Sequence, residues 1–239
     1  MNVKIFNRGY RDIPALTPVK ADSSPAVILP QTTSASEDGT IARLTRRILA
    51  AVVIVLVAAG VALAWLNWRV HQETVTPLET LNSGGTAGRV LAVLSPGMSS
   101  FPADVMTAFD KGLAEKGWRV DHTTASSEAT TDIGAYDLIV LAAPVYFSRA
   151  APPLQDYVGR VGDFGGKQIA VLVTAGGDPA EAVAATKALI AAHNGTLAGI
   201  YGYAVYEPND PDGKYEGSNT ERAVRMAHDA ALALADTLP

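Results

Sequence analysis

Tyr136-Asp137-Leu138-Ile139-Val140-Leu141-Ala142-Ala143-Pro144-Val145-Tyr146 is the stretch on which the fold turns. From Leu138 to Ala143 no polar side chain interrupts the run. A strand with one wet face would alternate. One this uniformly apolar, bounded by Asp137 and Pro144, fits a strand covered on both faces, which is the habit of parallel sheets flanked by helices.

The same signal recurs on either side. Residues 89–94 (RVLAVL) and 168–174 (QIAVLVT) are further buried strands, 118–123 alternates, and 196–205 makes a fifth strand interrupted by Gly199 and Gly202. Helical patterns separate them. Val105, Phe109 and Leu113 fall at i, i+4, i+8 within 103–116, and Gly117 stops that helix. Leu154, Tyr157, Val158 and Val161 share a face of a helix over 148–161. Asp178 as N-cap and Pro179 at the first helical position open the next, closed near His193 by Asn194-Gly195. Ser218-Asn219-Thr220-Glu221 is a capping box for a last helix burying Ala223, Val224, Ala227, Ala231 and Leu234. Strands joined by helices predict an α/β domain, parallel in its sheet, over residues 88–239.

Upstream, residues 48–66 (ILAAVVIVLVAAGVALAWL) hold nineteen residues without a charge. As a helix they span about 28 Å, close to the roughly 30 Å of a bilayer's hydrocarbon core. Trp65 and Trp68 stand at its end, where amphipathic rings favour the interface. A transmembrane helix is the reading. A buried core helix and a cleaved signal sequence are the alternatives; Ala62-Leu63-Ala64 has the form of a cleavage site, against a long preceding segment. Arg43, Arg46 and Arg47 before the span and Arg69 after it put the N-terminus in the cytoplasm and the folded domain outside. Residues 1–47, rich in Pro, Ser, Thr and Asp, read as a disordered tail, and 67–87, ending in Asn82-Ser83-Gly84-Gly85, as a flexible tether.

Composition excludes several classes. There is no cysteine, hence no disulfide, thiolate metal site or cysteine nucleophile. Residues 88–239 carry eleven Lys/Arg against eighteen Asp/Glu, a poor surface for nucleic acid. His71, His122, His193 and His228 lack ligand spacing, and Asn209-Asp210-Pro211-Asp212-Gly213 fails as a calcium loop because Pro208 and Asn219 hold its first and last positions.

Residues 136–146 resemble the third strand and following loop of the flavodoxin family, "YDLIVLGSPVY". Pro152-Pro153-Leu154 and Gly166-Lys167 are similar to flavodoxin-family oxidoreductases, including quinone-linked membrane ones. The resemblance covers nearly all of the domain. It implies a flavodoxin-like three-layer sandwich with a five-stranded parallel sheet in the order 2-1-3-4-5, preceded here by one transmembrane helix. It also implies FMN bound beyond the carboxyl ends of the strands.

In that family the loop after strand one holds the FMN phosphate as Ser/Thr-x-Thr-Gly-x-Thr. Here it reads Ser95-Pro96-Gly97-Met98-Ser99-Ser100. Ser95 and Ser100 match in type and Ser99 adds a hydroxyl. Gly97 stands where Thr is expected and Met98 where Gly is expected, and Pro96 lacks an N–H. Pro144, Tyr146 and Phe147 match the ring-stacking loop, with Tyr146 the foremost candidate. Thr174, Gly176 and Gly177 match the loop at the flavin's polar edge. Bland readings stand beside these: Tyr146 capping the core at a strand end, and Gly176-Gly177 only turning the chain. Two functions follow: a membrane-anchored FMN protein working on a quinone or a redox partner protein, or a flavin-free partner-binding or assembly module at the bilayer surface.

Overall fold

The computed structural model describes residues 35–238, so most of the expected N-terminal tail lies outside the described residues. The chain divides into two compact units, Met1–Val55 and Leu56–Pro239, and the folded domain belongs to the second. Helix α1, Ala35–Val70, is longer than the expected span at both ends. Once the apolar segment is helical, adding flanking residues needs no new nucleus. Among the described residues it is the one helix long and apolar enough to cross a membrane, with a mean hydropathy of 2.8 over its most apolar window. Among the described residues nothing covers its large apolar side chains from Ile48 to Trp68, which opposes the core-helix reading.

The domain holds seven strands: β1 (Glu79–Leu81), β2 (Gly88–Leu94), β3 (Trp118–Thr124), β4 (Leu138–Tyr146), β5 (Arg149–Ala150), β6 (Gln168–Ala175) and β7 (Thr196–Ala204). Four helices follow α1: α2 (Phe101–Glu115), α3 (Pro152–Val161), α4 (Ala180–Ala192) and α5 (Asn219–Ala235). The five parallel strands stand in the order β3-β2-β4-β6-β7, which is the expected 2-1-3-4-5. Two short strands are additions to the five-stranded expectation. β1 pairs antiparallel with the edge strand β3, and β5 folds back on the end of β4.

The three layers follow from the apolar runs. On one face Val90, Ala92, Leu138, Val140 and Leu172 pack against Val105, Phe109 and Leu113 of α2 and Ala223, Ala227 and Ala231 of α5. On the other, Leu91, Val93, Ile139, Leu141 and Val171 pack against Leu154, Tyr157 and Val158 of α3 and Ala182 and Ile190 of α4. Each fully buried Leu, Ile or Val contributes roughly 1.5–3 kcal/mol, so the central strands β2, β4 and β6 anchor both layers. α2 and α5 meet closely at Gly112, where a Cβ would stand 2.7 Å from the His228 carbonyl oxygen. The capping box of α5 forms as expected, Ser218 with Glu221. At α4 the cap shifts by one: Pro179 is the N-cap, and Asp178 accepts from the Ala180 N–H at 2.9 Å.

The segment expected to be a flexible tether is instead tied to β3. Thr124 Oγ1 donates to the Thr74 carbonyl at 2.5 Å and accepts from Thr76 N–H at 3.1 Å, and Ser127 N–H donates to Glu73 at 2.8 Å. Farther along, the buried Asp121 accepts from Thr80 Oγ1 at 2.7 Å, from Arg89 at 2.8 Å and from Arg119 at 3.3 Å. Burial alone would raise the Asp121 pKa; these three donors outweigh it and hold the carboxyl below the usual range. An unpaired sheet edge is thus covered by residues 72–81, which carry no strand signal of their own.

Candidate functional site

The chain passes from β2 to β3 on one side and then to β4 on the other, so the carboxyl ends of β2 and β4 flank the switch point of the sheet. Part of the expected set meets there, around Ser95, Pro144, Tyr146 and Thr174. Ser95 N–H donates to the Ala142 carbonyl at 2.8 Å, which fixes the start of the first loop against β4. Gly97 rests on Pro144 and Pro102, each 3.2 Å from where its Cβ would be, so a larger residue would need the two proline rings to give way by a few tenths of an ångström. The Met98 N–H donates to the Tyr146 hydroxyl at 3.2 Å. Pro144 is in register with Thr174 on β6, which brings the third loop alongside.

Tyr146 therefore does more than end the strand: its hydroxyl accepts from the backbone of the first loop at Met98, the residue that departs from the family's glycine. Ser99 and Ser100 are exposed at the start of α2, and Ser100, the N-cap, makes no side-chain capping bond. No contact joins these two to Tyr146. Asp104 in the first turn of α2 takes up part of the favourable N-terminal dipole.

β4 runs on through Tyr146 into a two-residue turn, Phe147-Ser148, and returns as β5, with Tyr146 opposite Arg149. Both turn residues lie in the left-handed region, Phe147 at φ 51° and Ser148 at φ 62°. Such a turn suits Asn-Gly; Phe and Ser there are strained by roughly 1 kcal/mol each. Phe147 is 69% exposed, so the strain holds an aromatic ring out in solvent rather than packing it. At the end of β6, Gly176 accepts from the Tyr206 N–H at 2.9 Å, and the Tyr206 ring lies 3.8 Å from where a Gly176 Cβ would sit. A side chain on Gly177 would meet nothing, so its backbone is open to a ligand.

Three buried hydroxyls have no hydrogen-bond partner in the protein: Ser95, Ser126 and Thr174. All three lie at the carboxyl ends of parallel strands, β2, β3 and β6. An unsatisfied buried hydroxyl costs about 1–3 kcal/mol, and these three stand at the carboxyl ends of three different strands. Ser126 and Tyr206 were not expected from the sequence. Neither sits in a motif, and only the topology brings them to this edge.

A cavity of about 940 Å³ opens beside the first loop, between α2 and α5. It takes in Ser99 and Ser100 together with Lys111, Arg225 and His228, and leaves out Tyr146, Phe147 and Gly176. Within it the Tyr215 hydroxyl donates to Asp229 at 2.5 Å and holds that carboxyl low. On the α2 face of β3, His122 Nδ1 stands 2.6 Å from the buried Asp110 carboxylate. Burial disfavours a charge on His122, but Asp110 outweighs it, so the imidazole keeps its proton to higher pH than usual. This pair ties α2 to the sheet and lies away from the loops. Among the described residues no group of three or more His, Cys, Asp or Glu could hold a metal ion.

No family model matches the sequence, and no curated protein does. Solved structures do. The metal-soaked flavodiiron core of Flv1 from Synechocystis sp. PCC6803 is similar at 14% identity and a TM-score of 0.50, over 65% of this chain and 37% of that one. A flavodoxin from the domain Archaea matches at 11% identity over 62% of this chain and 97% of that one, with a TM-score of 0.48. The NAD(P)H:quinone oxidoreductase from Methanothermobacter marburgensis matches at 18% identity over 62% and 96%, with a TM-score of 0.45. At these identities the likeness concerns the fold: a flavodoxin-like α/β domain preceded by one long apolar helix.

Proposed function

We propose that the chain is a membrane-anchored flavodoxin-type protein that binds FMN at the carboxyl edge of its sheet and passes electrons to a quinone or a redox partner protein. The observation that carries this reading is the convergence of unpartnered buried hydroxyls with a strained, ring-presenting turn at the switch point.

The residues fit such a ligand best at its ring end. Phe147 and Tyr146 would flank the flat ring, while Thr174 and the open backbone at Gly176 and Gly177 would meet its polar edge. At the phosphate end Ser95, Ser99 and Ser100 supply hydroxyls, and Tyr146 would exchange its bond to the Met98 N–H for one to the ligand. Bound there, the flavin supplies one- and two-electron transfer; the chain's part is to hold it, exclude water and fix its polar edge. Helix α1 would serve as the anchor, with Arg43, Arg46 and Arg47 on the cytoplasmic side and the domain outside. A reporter fused at Pro239 tests that orientation.

A second reading, a flavin-free module that docks a partner protein, is favoured by the Tyr146–Met98 bond and by Met98 in place of glycine. Titrating the full-length protein in detergent with FMN, followed by flavin fluorescence, separates the two. Saturable quenching at one FMN per chain is expected, weakened about tenfold in Phe147→Ala by loss of about 1.4 kcal/mol of stacking. No quenching at micromolar FMN would leave the flavin-free module.

A further inference from the structure

Residues 71–81 carry directional information that neither the fold nor the flavin reading uses. At the end of α1 the His71 and Gln72 N–H groups donate to the Trp68 and Arg69 carbonyls, and both side chains bond back to the Asn67 and Trp68 carbonyls. The helical turn thus continues to Gln72, and the next residue, Glu73, is already held by Ser127 N–H at 2.8 Å. Ser127 lies just past the carboxyl end of β3. From there the segment descends antiparallel to β3, Glu79 opposite His122 and Leu81 opposite Val120, toward the amino edge of the sheet. Three residue steps separate Val70 from Glu73, a reach of at most about 11 Å. The amino edge lies a further strand length away, about 20 Å for a strand such as β3.

The surface at that carboxyl edge is unusual for this domain. Beyond α1, the large hydrophobic side chains exposed among the described residues are Val75, Leu78, Met98, Phe147 and Tyr206. Met98, at 52% exposure, Phe147, at 69%, and Tyr206, at 86%, stand on the loops after β2, β4 and β7, all at the carboxyl edge. Among the described residues no large hydrophobic side chain is exposed on the loops at the amino edge. Near Tyr206 the exposed Glu207, Asp212 and Glu216 outnumber the one exposed cation of that stretch, Lys214, which opposes an anionic lipid surface and suits a zwitterionic one.

We infer that the domain turns the carboxyl edge of its sheet toward the bilayer, with Met98, Phe147 and Tyr206 seated among zwitterionic headgroups. The inference rests on reading α1 as a membrane span, and not on flavin. The short, hydrogen-bonded connection leads from the helix end first to the carboxyl end of β3 and only then toward its amino end. Aromatic rings at the interface are favourable, and a Phe147 ring with one face toward a ligand still has its outer edge free for lipid. A substrate reaching this edge would arrive from the lipid phase, as a quinone does.

The cysteine-free chain allows a direct test. Single variants Phe147→Cys, Tyr206→Cys, Ser83→Cys, Thr196→Cys and Leu63→Cys of the full-length protein carry an environment-sensitive fluorophore in phosphatidylcholine nanodiscs. Headgroup-nitroxide phosphatidylcholine should quench the labels at 147 and 206 several-fold more than those at 83 and 196, on the amino edge. Equal, weak quenching at all four, with the Leu63 label quenched by acyl-chain nitroxide, overturns the inference while leaving the anchor intact. An unquenched Leu63 label overturns the span reading and the inference with it.

Discussion

Replacing Phe147-Ser148 by Asn-Gly should make the protein more stable and, on the proposed flavin reading, lower its affinity for FMN. Both residues occupy the left-handed region, at φ 51° and 62°. Asn tolerates that region and Gly has no Cβ to clash, so the change relieves about 1 kcal/mol at each position. Glycine returns about 0.5–1 kcal/mol through the greater freedom of the unfolded chain. Phe147 is 69% exposed, so losing its ring removes little packing. The net is about 1 kcal/mol of added stability, or roughly 3 °C in Tm for a domain of this size. Urea unfolding in detergent measures it, with Trp65 and Trp68 replaced by Phe so that Trp118 is the sole indole. FMN affinity should fall about tenfold in the same variant, as for the loss of a stacking ring. A destabilised variant would refute the argument, because it would mean that Phe147 packs as a structural cap. A stabilised variant with unchanged affinity would refute its functional half.

Ser95→Ala removes a buried hydroxyl without a partner; stability should rise by about 1 kcal/mol and FMN affinity fall about tenfold, read by urea unfolding and fluorescence titration. The His122 pKa is raised by Asp110 against burial, so the pair's contribution is full below about pH 6.5 and is lost as pH rises through the folded-state pKa. Burial pushes Asp110 upward too, which acts in the same direction. Thermal melts from pH 6 to 9 should show stability declining, and His122→Gln should flatten the slope. Asp121→Ala strips Thr80, Arg89 and Arg119 of their shared acceptor and should cost about 3 kcal/mol, the low end for a broken buried pair because both arginines are partly exposed. It should also free residues 72–81 to proteolysis. Because the Asp121 carboxyl is held low, its contribution is present at neutral pH and lost as pH falls through that lowered pKa.

What could be read in the sequence was whatever burial writes as a pattern. The apolar run at 138–143, its counterparts in β2 and β6, and the spacing of Val105, Phe109 and Leu113 place the parallel sheet and its layers. Elements held by polar contacts left no such trace. β1 exists because Asp121, an ordinary-looking charge inside a strand, is buried and draws Thr80 to it. β5 was invisible because its turn is Phe-Ser rather than Asn-Gly, a choice that local propensity opposes. Of the candidate site, the neighbourhood of Ser95, Pro144, Tyr146 and Thr174 follows from strand order, whereas the closure of Tyr146 on Met98 and the arrival of Tyr206 at Gly176 depend on loop conformations that no periodicity encodes.

Whether the protein carries flavin decides between an electron carrier and a flavin-free module. Full-length protein, extracted from membranes in mild detergent and purified without added cofactor, should show flavin absorbance near one FMN per chain. The Ser95→Ala and Phe147→Ala variants should be depleted. A colourless, folded protein that also fails to take up added FMN would contradict the electron-carrier reading.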